Sequence, residues 1–195
     1  MGKGEKTRAV IVDEALSQAV LVGLDGLSLG TLARSLGLSK SGLYAHFKSK
    51  EALQLAVLEA AIERFKTYVI APGLAFAPGS ARLRTLFVRY LNWIEGKHSA
   101  GGCPFTVFAQ EFDDKPGAVR ELLAALQQEW RALLARSVEE AVGNAPPERS
   151  PSQTAFEIVG IALSYQMATR LLGDVSARQR AMSAFDRLIG HRQGR

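Results

Sequence analysis

Apolar residues recur at intervals of three and four along nearly the whole chain, the spacing that stacks side chains on one face of an α-helix. No alternating apolar and polar run bounded by hairpin turns interrupts them. The pattern predicts an all-α protein of about nine helices. A first helix, about Lys6 to Val22, stacks Ile11, Ala15 and Ala19 beside Val12, Leu16 and Val20, and Gly23 stops it. Ser28 caps a second that carries Leu29, Leu32, Ala33 and Leu36 and ends at Gly37. Ser39 caps a short third with Leu43 and Phe47 one turn apart, and Ser49 caps a fourth running through Leu53, Val57 and Phe65. Pro72-Gly73 and Pro78-Gly79 bracket an expected loop. Beyond it a fifth helix is expected from about Ser80 to His98, a sixth from Pro104 to Phe112 and a seventh from about Pro116 to Val142. Two last helices, about Pro151 to Leu172 and Ser176 to Ile189, are divided by Gly173-Asp174, and the tail after Ile189 is expected to fray. This organisation divides the chain into a short-helix domain at residues 1–52 and a longer helical domain at residues 53–195.

The segment from Ser28 to Lys50 has the form helix, tight turn centred on Gly37, second short helix, which is a helix-turn-helix arrangement. Gly37 takes a backbone conformation that a side chain resists. Leu32, Leu36, Leu43 and Phe47 lock the two helices at a fixed angle, with Leu38 turned inward. The second helix then projects, and a projecting helix fits the major groove of DNA with its N-terminal residues at base edges. An ordinary corner between two core helices has the same apolar spacing. The polar positions favour the groove: Lys40, Ser41, Tyr44, His46, Lys48 and Lys50, with Ser28 and Thr31 on the preceding helix, all offer hydrogen-bond donors. No acid lies between Leu27 and Lys50. Lys50 is a cation in the first turn of the helix capped by Ser49, where it opposes the helix dipole unless an anion, such as a DNA phosphate, sits there. Taken singly, Tyr44 also suits a half-buried core position and His46 an ordinary surface one.

Charge agrees with this placement. The chain of 195 residues carries a formal net charge of +5. Its first 50 residues hold seven Lys/Arg against four acids, more than half of that excess. With 47% apolar and 22% charged residues the chain has enough apolar material for a sizeable core, which excludes disorder along its length.

The stretch from about Ile11 to Val57, above all LARSLGLSKSGLYAHFKSKEALQLAVLE, resembles the DNA-binding domain of the tetracycline-repressor family of bacterial transcription regulators. The pattern L-A-x-x-L-G-L-S-x-x-x-L-Y-x-H-F-x-S-K-E-x-L reads through without a gap. The resemblance implies a homodimer that binds a palindromic double-stranded DNA operator, commonly as a repressor released by a small-molecule effector. It implies that Tyr44, His46 and Lys50 touch operator phosphates, that Ser28 sits at a capped helix start against the backbone, and that Lys40, Ser41 and Gly42 reach bases. Gly42 departs from the family, which often has Thr or another small polar residue there, so base reading is expected to fall on Lys40 and Ser41. Ser39 belongs to the same DNA-binding set as the cap of the reading helix.

The remainder of the chain has helix count and order similar to the family's regulatory domain, and GGCPFTVFAQEFDDKPGAVRELLAALQQEW has the look of one branch of these regulators without naming a ligand. Tyr90, Trp93, Phe105, Phe108, Phe112, Trp130 and Tyr165 supply the aromatic surface expected of an effector pocket, although aromatics at helical spacing also simply fill cores. The last two helices present Phe156, Val159, Leu163 and Met167, then Phe185 and Leu188, with the small Ala155, Gly160, Ala162 and Ala184 between them. Two copies of such a pair make a four-helix dimer seam, and burial inside one chain would use the same face.

Enzymatic readings find no support in H-E-x-x-H, Walker, G-x-S-x-G or G-x-G-x-x-G motifs, and His46, His98 and His191 are too scattered for a metal site. No enzyme activity, cofactor or metal is expected. Cys103, the single cysteine, forms no internal disulfide and precedes Pro104 at a helix start; a structural role suits it better than thiol sensing. The opening residues lack a signal-peptide pattern, so a cytoplasmic location is expected. No apolar run reaches the roughly 18 residues of a membrane span. The rival to a ligand-controlled DNA-binding regulator is a helical ligand-binding or scaffold protein without specific DNA binding.

Overall fold

A computed structural model of the chain describes residues 2–96, 102–142 and 150–190, which are helical with no strand among them. The helices are α1 (Lys3–Val22), α2 (Leu29–Ser35), α3 (Lys40–His46), α4 (Lys50–Phe65), α5 (Ser80–Ile94), α6 (Pro104–Phe112), α7 (Ala118–Val142), α8 (Pro151–Gln166) and α9 (Ala177–Leu188). A π turn at Lys66–Ile70 and a short stretch Ala71–Leu74 prolong α4, and a π turn at Met167–Leu171 prolongs α8. The expected ends at His98 and in the tail after Gly190 lie outside the described residues.

The chain divides into two compact units, Met1–Arg64 with Ser99–Ala124, and Phe65–His98 with Ala125–Arg195. The division expected after residue 52 differs from this partition in two ways: the first unit keeps most of α4, and it includes α6, which packs on α1. Local periodicity marks where helices are but carries no signal for a segment that returns from about 90 residues away.

In the first unit α1 buries Ile11, Val12, Ala15, Leu16, Ala19 and Val20 along one stripe, and α4 buries Leu53, Val57 and Leu58. From α6 come Phe105, Phe108 and Phe112, at i, i+3 and i+7, also buried. Three serines cap as their positions predict: Ser28 accepts from Thr31 N at 3.4 Å, Ser39 from Gly42 N at 3.0 Å and Ser49 from Ala52 N at 3.1 Å.

The core of the second unit is built on rings. Phe65 meets Tyr90, Trp93 and Trp130 edge-on at centroid separations of 5.9, 5.5 and 5.1 Å, and Phe87 stacks on Phe185 at 4.2 Å. Where the dipeptide Pro72-Gly73 predicts a loop, the structure keeps a helix. Proline lacks an amide hydrogen and its ring crowds the preceding turn. The π turn adjusts the backbone just before it, with Ala71 N–H donating to Lys66 O. Pro72 then falls in the first turn of Ala71–Leu74, where a missing donor costs least. Gly73 serves a close approach: a Cβ there would lie 2.3 Å from Leu86 Cδ2 on α5.

Candidate nucleic-acid interface

The turn between α2 and α3 closes by two backbone bonds, Gly37 N to Arg34 O at 3.2 Å and Leu38 N to Ala33 O at 2.8 Å, with Gly37 at φ 64°. This paired pattern satisfies the last carbonyls of α2 and needs a left-handed residue between them, which is why glycine stands there. Leu32, Leu43 and Phe47 are buried and hold α3 in place, while Leu36 and Leu38 are half-buried. Arg8 of α1 lies over the Phe47 ring, 4.9 Å from its centroid.

With Leu43 and Phe47 turned inward, α3 presents Lys40, Ser41, Tyr44 and Ala45 to solvent, one face in helical register, and Lys48 is exposed in the bend between α3 and α4. Tyr44 is 51% exposed. Gly42 and His46 are partly covered, and Ser28, Thr31 and Ser39 are exposed beside them. A Cβ on Gly42 would meet Ser39 Oγ at 3.1 Å, so the glycine lets the capping hydroxyl sit close against the helix start.

The anion that answers Lys50 belongs to the chain itself. Its ammonium donates to the backbone oxygen of Asp25 and to Asp25 Oδ1, the latter at 3.1 Å. In the free protein, then, Asp25 supplies the charge that offsets the dipole conflict at Lys50. Lys115, on the turn after α6, holds Asp25 Oδ2 at 2.8 Å. These two lysines, Lys115 first, keep the Asp25 carboxyl below the ordinary carboxylate range. Glu111 of α6 accepts from Leu24 N at 2.8 Å and Asp25 N at 3.2 Å, and Gln54 Nε2 donates to Leu24 O at 3.1 Å. Sequence reading missed Asp25, Glu111 and Lys115. Asp25 sits with Gly26 between two buried leucines, a short break that signals a turn, but no local pattern names its partners 25 and 90 residues away.

The aromatics expected around one effector pocket fall in different units. Phe105, Phe108 and Phe112 are buried in the first; Tyr90, Trp93, Trp130 and Tyr165 are buried in the second. Tyr90 and Trp93 belong to the ring cluster around Phe65. Trp130 also lines a groove of about 350 Å³ with Ile70, Leu74, Leu126 and Leu133, flanked by Lys66, Glu129 and Arg136. Its buried indole Nε1 has no hydrogen-bond partner among the described residues. Tyr165 lines a larger groove of about 700 Å³ between α8 and α9 and donates its hydroxyl to Glu95.

Of the expected seam residues, Phe156, Leu163 and Met167 are exposed and Leu188 is half-buried. Val159 and Phe185 are corrected: both are buried inside the second unit, Phe185 by its stack on Phe87. One face of α8 and α9 fills that unit's core, and the remaining apolar stripe is the one left open.

Two family models match the sequence: bacterial regulatory proteins of the tetR family over residues 11–57, and the tetracyclin repressor-like C-terminal domain over residues 79–185. No curated protein matches it. Among solved structures, a TetR transcriptional regulator from Chloroflexus aurantiacus is 28% identical, with 98% of this chain and 96% of that one covered and a TM-score of 0.84. A TetR-family regulator from Cytophaga hutchinsonii is 20% identical over 97% and 96%, with a TM-score of 0.82. AibR, solved with isovaleryl coenzyme A and operator DNA, is 21% identical over 93% and 97%, with a TM-score of 0.76. Among the described residues no helix is long and apolar enough to cross a membrane, and no group of three or more metal-ligating side chains occurs.

Proposed function

Since this chain belongs to the tetracycline-repressor family of bacterial transcriptional regulators, we propose that it acts as a homodimeric repressor that leaves a palindromic operator when a small molecule binds its second unit. The observation that carries this reading is the exposed face of α3. Lys40, Ser41 and Tyr44 project together from a helix braced by Leu43 and Phe47, with Lys48 exposed just past its end and no carboxylate between Leu27 and Lys50. On this reading Lys40 and Ser41, in the first turn, read base edges, and Ser28, Thr31, Tyr44, His46, Lys48 and Lys50 meet phosphates.

Dimer formation is supported by the stripe Phe156, Gly160, Leu163, Met167 and Leu171, all exposed on one side of α8 and its extension. Effector binding is supported by the groove beside Trp130, apolar with charged residues at its margin and a buried indole donor that awaits an acceptor. A related fold solved with both a ligand and operator DNA is consistent with this division of labour.

Retardation of a DNA fragment that carries the chain's own promoter tests the reading. Binding much tighter than to random duplex, by a dimer, is the expected result. Equal binding to both duplexes by a monomeric sample would instead establish the helical ligand-binding or scaffold alternative. A compound that co-purifies with the protein and releases the DNA would identify the effector by its mass.

A further inference from the structure

The α1–α2 turn of the first unit is gripped from two sides by charged groups that the helix-turn-helix does not itself require. Asp25 stands between two ammonium groups, Lys50 on Oδ1 at 3.1 Å and Lys115 on Oδ2 at 2.8 Å. Glu111 anchors the same turn through Leu24 N and Asp25 N. Gly23 makes room for that anchor: a Cβ there would lie 1.6 Å from Glu111 Oε1, and its φ of 84° is one that glycine accepts freely. The contact is thus built into the backbone and holds the turn after α6 against the loop that carries Asp25.

From this geometry we infer that Asp25 and Lys115 are positioning residues that set how strongly Lys50 engages operator phosphate, so that the turn after α6 governs DNA affinity from a distance. The inference rests on the DNA-binding reading above. Lys50 and Asp25 alone form a neutral pair, and a phosphate must then draw the ammonium away from a carboxylate with no other partner. With Lys115 on the second oxygen, the carboxylate has a further cation at 2.8 Å. The carboxylate remains compensated when Lys50 turns to an external anion. Lys115 needs no contact with DNA to do this.

The test uses the full chain and a fluorescent duplex selected by the wild-type protein from a random-sequence pool, with anisotropy read across a salt series. Lys115→Gln is expected to weaken binding by about two- to five-fold, the range of an exposed ion pair, and to flatten the salt slope. Asp25→Asn is expected to tighten it by a similar factor. The decisive measurements are the double variants. In the Asp25→Asn background Lys115→Gln should have no further effect, and in a Lys50→Ala background Asp25→Asn should no longer tighten binding. Lys115→Arg, which keeps the charge, should restore wild-type affinity and controls for damage to the fold. Equal losses from Lys115→Gln with and without Asp25 would show that Lys115 meets phosphate itself and overturn the inference. So would equal tightening by Asp25→Asn with and without Lys50. A wild-type chain that selects no duplex overturns the DNA-binding reading and this inference together, whereas selection with unchanged variants overturns only this one.

Discussion

Lys40 and Gly73 show how much one position decides. Lys40 opens α3 with its side chain in solvent, and Gly42 beside it offers no side chain to share the base reading proposed for Lys40. Lys40→Ala is therefore expected to relax preference at one base pair of the operator, by about 1–3 kcal/mol of discrimination, while affinity for unrelated duplex changes little. Competition with single-base operator variants measures this, and a uniform loss across sequences would assign Lys40 to phosphate. Gly73 acts by absence. Its missing Cβ leaves room for Leu86, whose Cδ2 and Cγ would otherwise lie 2.3 and 2.6 Å away. Gly73→Ala should destabilise the fold by about 1–3 kcal/mol, because the strain falls on a packed leucine rather than a free surface. Denaturant unfolding measures it.

Helices of the second unit are tied by a polar knot as well as by rings. Tyr165 of α8 donates to Glu95 at the end of α5. Arg178 of α9 donates to the same Glu95 oxygen and to Asn92 Oδ1, the latter at 3.0 Å. Burial first, and then the Glu95 carboxylate, pushes the Tyr165 phenol up from 10.0 to about 12. A phenol whose pKa is raised in the folded state gives stability that is whole below the unfolded value and is lost as pH climbs to the folded one. Unfolding free energy should thus decline between pH 10 and about 12 in the wild type, and Tyr165→Phe should remove that part of the decline. Denaturation midpoints of the two proteins across this window compare directly. Identical alkaline profiles would mean that Tyr165 ionises in the fold as freely as in the open chain.

For the molecule as a whole, in the dimer proposed above, the separation of the two α3 helices is the quantity that matters. Half-sites one helical turn apart lie about 34–36 Å from centre to centre, and a single chain carries one reading helix. The exposed α8 stripe is the surface proposed to fix that distance. Leu163→Glu places a charge in its middle, on a side chain that the chain's own core does not use. It should convert a dimer to a monomer in sedimentation, leave the thermal midpoint of the fold nearly unchanged, and reduce operator affinity by at least tenfold through loss of the second half-site. An undiminished dimer would move the interface elsewhere.

What was legible in the amino-acid order is what short range governs. Helical period, serine caps, the left-handed glycine after α2 and the buried spacing of Leu32, Leu43 and Phe47 together gave the helix-turn-helix and the polar face of α3, because each depends on neighbours within one or two turns. Pro72-Gly73 was misleading for a related reason: a proline and a glycine signal a break locally, but a π turn and the proximity of Leu86 kept the helix. Residues distant along the chain were left to packing. The return of α6 to α1, the burial of Val159 and Phe185 within one unit, and the capture of Lys50 by Asp25 join positions from 25 to about 100 residues apart, and no periodicity encodes such partners. The sequence by itself determined which helices form and which residue types lie on the reading face; the tertiary structure alone decided which charges and rings meet, since a contact energy depends on distance in space and a pattern records only distance along the chain.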